Sequence, residues 1–140
     1  MAIAIAADHG GVHLKNTIGQ YLVGKGYQVI DLGTWSDDAV DYPDYARAVA
    51  QAILSGKAER AVLICGSGVG ASVAASKVRG VRSAVCHDTY SARQGVEHDD
   101  MNVLCLGSEV VGPSLAVDLV RTFLRAQFDG GDRHTERLRK

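Results

Sequence analysis

Short apolar runs alternate along the chain with longer stretches whose apolar positions recur at helical spacing. Ala2–Ala7 is apolar throughout and predicts a strand. From Gly10–Gly11 to about Val23, the positions Val12, Ile18 and Leu22 roughly follow a helical stripe, weakened by Gly19. Tyr27–Leu32 alternates and is rich in strand formers. Pro43 follows a loop and suits the first turn of a helix running from Asp44 to Leu54. Ala61–Cys65 is continuously apolar, as in a strand buried on both faces. A glycine-rich turn and a helix to about Lys77 come next. Val81–Val85 predicts a fourth strand, Ser91–Val96 a short helix, Val103–Leu106 a fifth strand and Pro113–Phe128 the last long helix. Strands interleaved with helices in this way imply an α/β fold with parallel pairing through right-handed crossovers. No repeat or composition shift divides the chain, so residues 1–140 are expected to form one domain. The polar tail from Asp129 to Lys140 cannot form a core element alone. It is expected either to fray or to pack on something, a partner subunit included.

Composition narrows the class. With 140 residues, 46% hydrophobic and 22% charged, the chain can bury one core and is not disordered. A formal net charge of -1, with no long run of one sign, argues against a dedicated nucleic-acid or membrane-surface protein. No apolar stretch reaches the length of a membrane span, and the first residues have no basic flank of the signal-peptide kind. Three cysteines (Cys65, Cys86 and Cys105), without CxxC spacing, fit free thiols in a reducing cytoplasm better than a disulfide framework or a zinc site.

Ligands of open parallel sheets bind beyond the carboxyl ends of the strands. Asp8-His9-Gly10-Gly11, Cys65-Gly66-Ser67-Gly68-Val69-Gly70 and His87-Asp88 follow strands, and His98-Asp99-Asp100 precedes the fifth. The expectation is that these polar groups gather at one sheet edge. The glycines of the second segment let backbone N–H groups approach a ligand, and the helix start behind them favours an anion or an oxyanion. The segment is neither a Walker A loop nor a dinucleotide fingerprint, and it could also be a plain turn. Cys65, placed where a helix N-terminus stabilises a thiolate, could abstract a proton next to a carbonyl; it could equally be a small buried hydrophobe. His9 and His98 stand beside carboxylates able to orient an imidazole, or are ordinary surface histidines.

Taken together, Asp8-His9-Gly10-Gly11, Asp41-Tyr42-Pro43, the Cys65–Gly70 loop, His98 and Arg133-His134-Thr135-Glu136-Arg137 occur in the order and approximate spacing of a known family. The chain resembles type B ribose-5-phosphate isomerase over essentially its whole length; that family includes allose-6-phosphate and galactose-6-phosphate isomerases. The resemblance implies a Rossmann-like three-layer α/β/α sandwich with a five-stranded parallel sheet, no metal and no organic cofactor. It implies a homodimer, with tetramers as an extension, whose sites lie between subunits. It makes Cys65 the base that moves a proton from C2 to C1 of a sugar phosphate through a cis-enediolate. Ser67 and the N–H groups of Gly66 to Gly70 would hold the oxyanion. His98 would assist ring opening, with Asp8 close to the sugar. Tyr42, Gly66, Gly68, Gly70 and Asp99 would contact substrate, and His9, Arg133 and Arg137 would grip the phosphate. One branch of the family replaces the cysteine by a glutamate four residues after the loop serine; here that position is Ala71, which leaves Cys65.

Three positions depart from the family pattern: Asp99 stands where Asn is common, Glu109 where Arg is common, and Asp132 is wedged between Gly131 and Arg133. The first two add negative charge where a phosphate or sugar is expected, and Asp132 could shift the register of the tail. The reaction type is therefore better supported than the substrate. A non-catalytic sugar-phosphate or nucleotide-binding module and a thiol redox protein are the rival classes.

Overall fold

The computed structural model describes all 140 residues. Five strands form one parallel sheet in the order β2-β1-β3-β5-β4. They are β1 (Ala2–Ala7), β2 (Gln28–Asp31), β3 (Arg60–Cys65), β4 (Ser83–Val85) and β5 (Val103–Gly107). The helices are α1 (Val12–Gly24), α2 (Tyr42–Leu54), α3 (Val69–Ser76), α4 (Thr89–Asp99), α5 (Pro113–Arg125) and α6 (Asp132–Arg139). None is long and apolar enough to cross a membrane.

The alternation of side chains along the central strands assigns the two faces. Ile3, Ile5, Val62, Ile64, Leu104 and Leu106 pack with α1, α4 and α5. Ala4, Ala6, Leu63, Cys65 and Cys105 face α2 and α3, whose own contacts are largely alanine. Large residues on one face and small ones on the other let α2 and α3 approach closely on the Cys65 side. In α5, Ala116, Leu119, Val120, Phe123 and Leu124 keep the i, i+3, i+4, i+7, i+8 stripe that buries an amphipathic helix. The three layers and the five parallel strands are as expected.

Several element boundaries differ. Gly10–Gly11 does not open α1: His9–Gly11 forms a 3-10 turn capped by Asp8, and the α-helix begins at Val12. The fourth strand has only three residues, and the last long helix stops at Arg125. The short helix expected over Ser91–Val96 is α4, which starts at its Asp88 cap and runs on through His98. The tail does not fray: α6 is helical and packs on α4 of the same chain, burying none of its own residues. Asp132 is the first residue of α6, where its carboxylate faces the positive end of the helix.

Candidate active site

The strand order reverses beside β1: the chain leaves it toward β2 on one side and returns as β3 on the other. A crevice opens at such a switch point, outside the carboxyl ends of the two strands. Asp8 follows β1 there and Cys65 ends β3, level with Gly107 of β5. The Asp8 N–H donates to the Ile64 carbonyl (3.1 Å). Ser108 ties the rim together, its hydroxyl donating to the Gly10 carbonyl (2.8 Å) and its N–H to that of Cys65 (2.9 Å). His87 is absorbed into the same scaffold, since its Nε2 accepts the Gly107 N–H (3.0 Å).

The loop wraps around the thiol. The Gly68 N–H donates to Cys65 Sγ (3.2 Å) and the Val69 N–H to Ser67 Oγ (3.2 Å). The Gly66 and Ser67 N–H groups have no partner within the chain, which leaves two donors beside the sulfur. Gly68 has φ +81°, and a Cβ there would meet the Leu106 carbonyl carbon at 2.9 Å, so the loop demands glycine twice over. At Gly70 a Cβ would come within 2.7 Å of the Tyr42 ring, so its absence is what seats Tyr42 against the loop. Asp8 Oδ1 accepts the Gly10 N–H (3.0 Å). His9 Nδ1 accepts the Val40 N–H (3.2 Å), so a neutral His9 carries its proton on Nε2 and is a donor there. Asp8, His9, Tyr42, Cys65, Ser67, Gly66, Gly68 and Gly70 thus share one edge. Glu109 is there too: its N–H donates to the Gly66 carbonyl (3.0 Å) and its side chain is exposed.

Cys65 is set apart from the other two thiols. Burial pushes the Cys86 thiol up to about 11, with Asp88 adding to the effect, and burial pushes Cys105 further up. Neither meets an N-terminal amide as Cys65 does, and both are core residues.

His98 and Asp99 do not join that edge. They sit in the last turn of α4, before β5 begins, whereas Cys65 lies level with the residue that ends β5. At roughly 3.3 Å per residue the strand alone separates them by ~13 Å. The expectation of one gathering place fails for His98-Asp99-Asp100 for a topological reason: residues before a strand of a parallel sheet lie at its amino edge. There α6 adds to the group. The His134 ring stacks on His98 (centroids 4.1 Å apart, planes 23°), and His134 Nδ1 meets both Asp129 carboxylate oxygens (3.0 and 2.9 Å). The Gly131 N–H and then His134 hold the Asp129 carboxyl below its usual value. Arg133 and Arg137, both exposed, are one helical turn apart and take part in none of the chain's ion pairs. The sequence assigned no role to Asp129, nor to His134 beyond its place in the tail segment; the spacing His98…Asp129…His134 becomes meaningful only once α6 folds back on α4.

His98, Asp129 and His134 offer donor atoms within 4.8 Å of one another. An ion bound by imidazole lies in the ring plane, and two stacked rings do not aim their lone pairs at one point. With His134 Nδ1 engaged by Asp129, the trio is built as a hydrogen-bonded assembly and not as a metal centre.

A chain with a thiol and free amides at one edge and two unpaired guanidinium groups at the other is matched across residues 3–140 by the family model described as Ribose/Galactose Isomerase. It is 48% identical over 136 residues to ribose-5-phosphate isomerase B of Escherichia coli, covering 97% of this chain and 91% of that one. It is 44% identical over 135 residues to D-erythrulose-4-phosphate isomerase of Pectobacterium atrosepticum, covering 94% and 87%. The solved structure of Clostridium thermocellum ribose-5-phosphate isomerase B superimposes with a TM-score of 0.96 at 51% identity, covering 99% of this chain and 93% of that one. The chain belongs to the ribose/galactose isomerase family and is an aldose–ketose isomerase of sugar phosphates.

Proposed function

We propose that the protein interconverts ribose 5-phosphate and ribulose 5-phosphate, with Cys65 as the base. The observation that carries this reading is the Gly68 N–H directed at Cys65 Sγ (3.2 Å) beside the open N–H groups of Gly66 and Ser67. A thiolate held there takes the proton from C2, and the amides and Ser67 Oγ hold the oxyanion of the cis-enediolate until the proton returns at C1. Asp8 lies close to the sugar, Tyr42 flanks it, and the Nε2–H of His9 donates to the phosphate.

The remaining groups come from a second copy. One chain carries the base at the carboxyl edge and His98, Asp99, Arg133 and Arg137 at the amino edge. A two-fold dimer that brings one copy's α4–α6 end to its partner's crevice completes two identical sites. His98 then assists ring opening and the two arginines bind the phosphate. The exposed apolar side chains Val69 and Val73, one turn apart on α3 beside the loop, suit burial in that contact.

Isomerisation of ribose 5-phosphate, measured with Cys65→Ala alongside, tests the reading. Turnover abolished in the variant supports it, and undiminished turnover moves the base elsewhere. A second reading, isomerisation of a different sugar phosphate, is favoured by Glu109, whose carboxylate stands on the rim beside Gly66. It has a four-carbon precedent in the Pectobacterium relative. Glu109→Arg should raise the affinity for inorganic phosphate if Glu109 borders the phosphate position; unchanged affinity would remove it from there.

A further inference from the structure

The α4–α6 end contains a carboxylate that no step above uses. Asp129 lies in the connection between α5 and α6. Its backbone N–H donates to the Glu97 carbonyl (3.0 Å), which fastens the connection to the last turn of α4, one residue before His98. Its side chain is fixed in turn by the Gly131 N–H, which donates to Oδ1 (2.9 Å). Both carboxylate oxygens are within hydrogen-bond distance of His134 Nδ1. An ionised carboxylate only accepts, so the proton of that bond resides on Nδ1. The result is a His134 ring with little freedom, its side chain 13% exposed although its helix has no fully buried residue. That ring is the surface on which His98 stacks.

We propose that Asp129 is a positioning residue for His98, acting through the His134 ring that it holds in place. The inference rests on the reading above, in which His98 serves ring opening. His98 is 41% exposed in a terminal helical turn, where a side chain ordinarily samples several rotamers. Stacking against a fixed ring restricts it to one. Asp129 Oδ2 lies 4.0 Å from His98 Nε2, too far for a hydrogen bond, so the orientation passes through His134. Two neighbouring carboxylates are held by arginines, Glu97 by Arg93 (2.7 Å) and Asp100 by Arg82 (3.2 Å). Ring opening breaks the C1–O4 bond while a proton leaves the C1 hydroxyl and one arrives at O4. An imidazole assisting either transfer must be aligned with its oxygen, and misplacement by about 1 Å costs on the order of 100-fold in rate.

The two chemical stages separate experimentally. Conversion of ribose 5-phosphate starts from the closed furanose and needs ring opening. Ribulose 5-phosphate is open-chain, because its O5 is esterified, so exchange of its C1 proton in D2O needs only the Cys65 stage. In Asp129→Ala, conversion should fall about 10- to 100-fold while C1 exchange stays within about two-fold, and Asp129→Glu should restore most of the conversion. Independently of activity, the ring protons of His98 and His134, shielded by mutual stacking, should move downfield in the proton NMR spectrum of Asp129→Ala. Unchanged ring-proton shifts, or conversion and exchange falling together, would overturn the proposal. Conversion undiminished in His98→Ala would remove ring opening from His98 while the ring-proton shifts still decide whether Asp129 positions it. If the wild-type protein acts on neither sugar, the isomerase assignment to this substrate fails and those shifts again decide.

Discussion

The two regions to which the proposed chemistry is assigned are built by different means. Around Cys65 the backbone does the positioning: Gly68 at φ +81°, an N–H aimed at sulfur, Ser108 stitched to Gly10 and Cys65, and strand register placing Cys65 beside Gly107. At the α4–α6 end, side chains position one another: a ring on a ring, a carboxylate on an imidazole, two arginines projecting from a helix without buried residues. A proton-abstracting site requires a fixed arrangement of donors before substrate arrives. A phosphate-gripping site gains from long cationic arms free to close on their ligand. Within one chain the sheet stands between them, which is why the proposed site draws on two copies.

Loss of Cys65 or of His98 tests that separation. Cys65→Ala and His98→Ala, each in a pure preparation, should lower kcat by roughly 100- to 10,000-fold and at least about 100-fold respectively. Unfolded together and refolded, the two variants form a mixed dimer in which one site draws both of its halves from unmutated regions. A statistical mixture then regains about one quarter of the wild-type sites. No recovery, in a mixture shown by mass spectrometry to have exchanged subunits, would place both groups in sites of a single chain.

Next in size is the proposed phosphate grip of the tail arginines. Arg137→Ala removes a charged, bidentate donor whose loss is worth about 1.5–3 kcal/mol, so KM for the sugar phosphate should rise about 10- to 100-fold with a smaller change in kcat. Rising ionic strength should weaken the wild-type protein more than the variant. A change in kcat alone would mean that Arg137 acts on the chemistry and not on the phosphate.

The carboxyl-edge half was legible in the sequence because its determinants are local. Cys65 through Gly70 is one continuous segment after an apolar strand, and the rule for parallel sheets places Asp8 beside it. The other half was not, for two reasons. His98 precedes a strand where the other candidates follow one, so the parallel direction of the sheet carries it to the opposite edge, and grouping it with them by its polar neighbours missed that direction. The tail has no hydrophobic stripe: Leu138 is its one large apolar residue, so nothing local signals that α6 folds onto α4. The resemblance named these residues in their order along the chain, but only the fold shows that they occupy two ends of one molecule.

The backbone-built half should be intolerant of added atoms. Gly68→Ala forces a Cβ into the left-handed region and against the Leu106 carbonyl carbon, a combination worth about 1–3 kcal/mol or more. For a domain of this size the melting temperature should fall by several degrees, roughly 2–8 °C. Gly70→Ala meets the half-exposed Tyr42 ring, which can swing outward, so it should cost less stability and more substrate affinity. Equal losses of stability in the two variants would show Tyr42 to be as immobile as the backbone.

The smallest effect concerns α4, the element that begins at one region and ends at the other. Asp88 caps its start, accepting the Ser91 N–H at 2.6 Å, and that bond holds the Asp88 carboxyl below its usual value. The folded value lies below the unfolded one. The cap's contribution is therefore complete above the usual carboxylate range and disappears as the pH falls through the folded value. Asp88→Ala should lower the melting temperature slightly at neutral pH, and the difference should close under acid conditions. His98 is ten residues further on, in the last turn of the same helix, held by contacts with α6 that do not depend on the cap. Conversion of ribose 5-phosphate should accordingly be unchanged in Asp88→Ala at neutral pH. A loss of kcat that follows the loss of the cap would mean that fraying at the start of α4 reaches His98 through the helix, and that the two regions act as one unit.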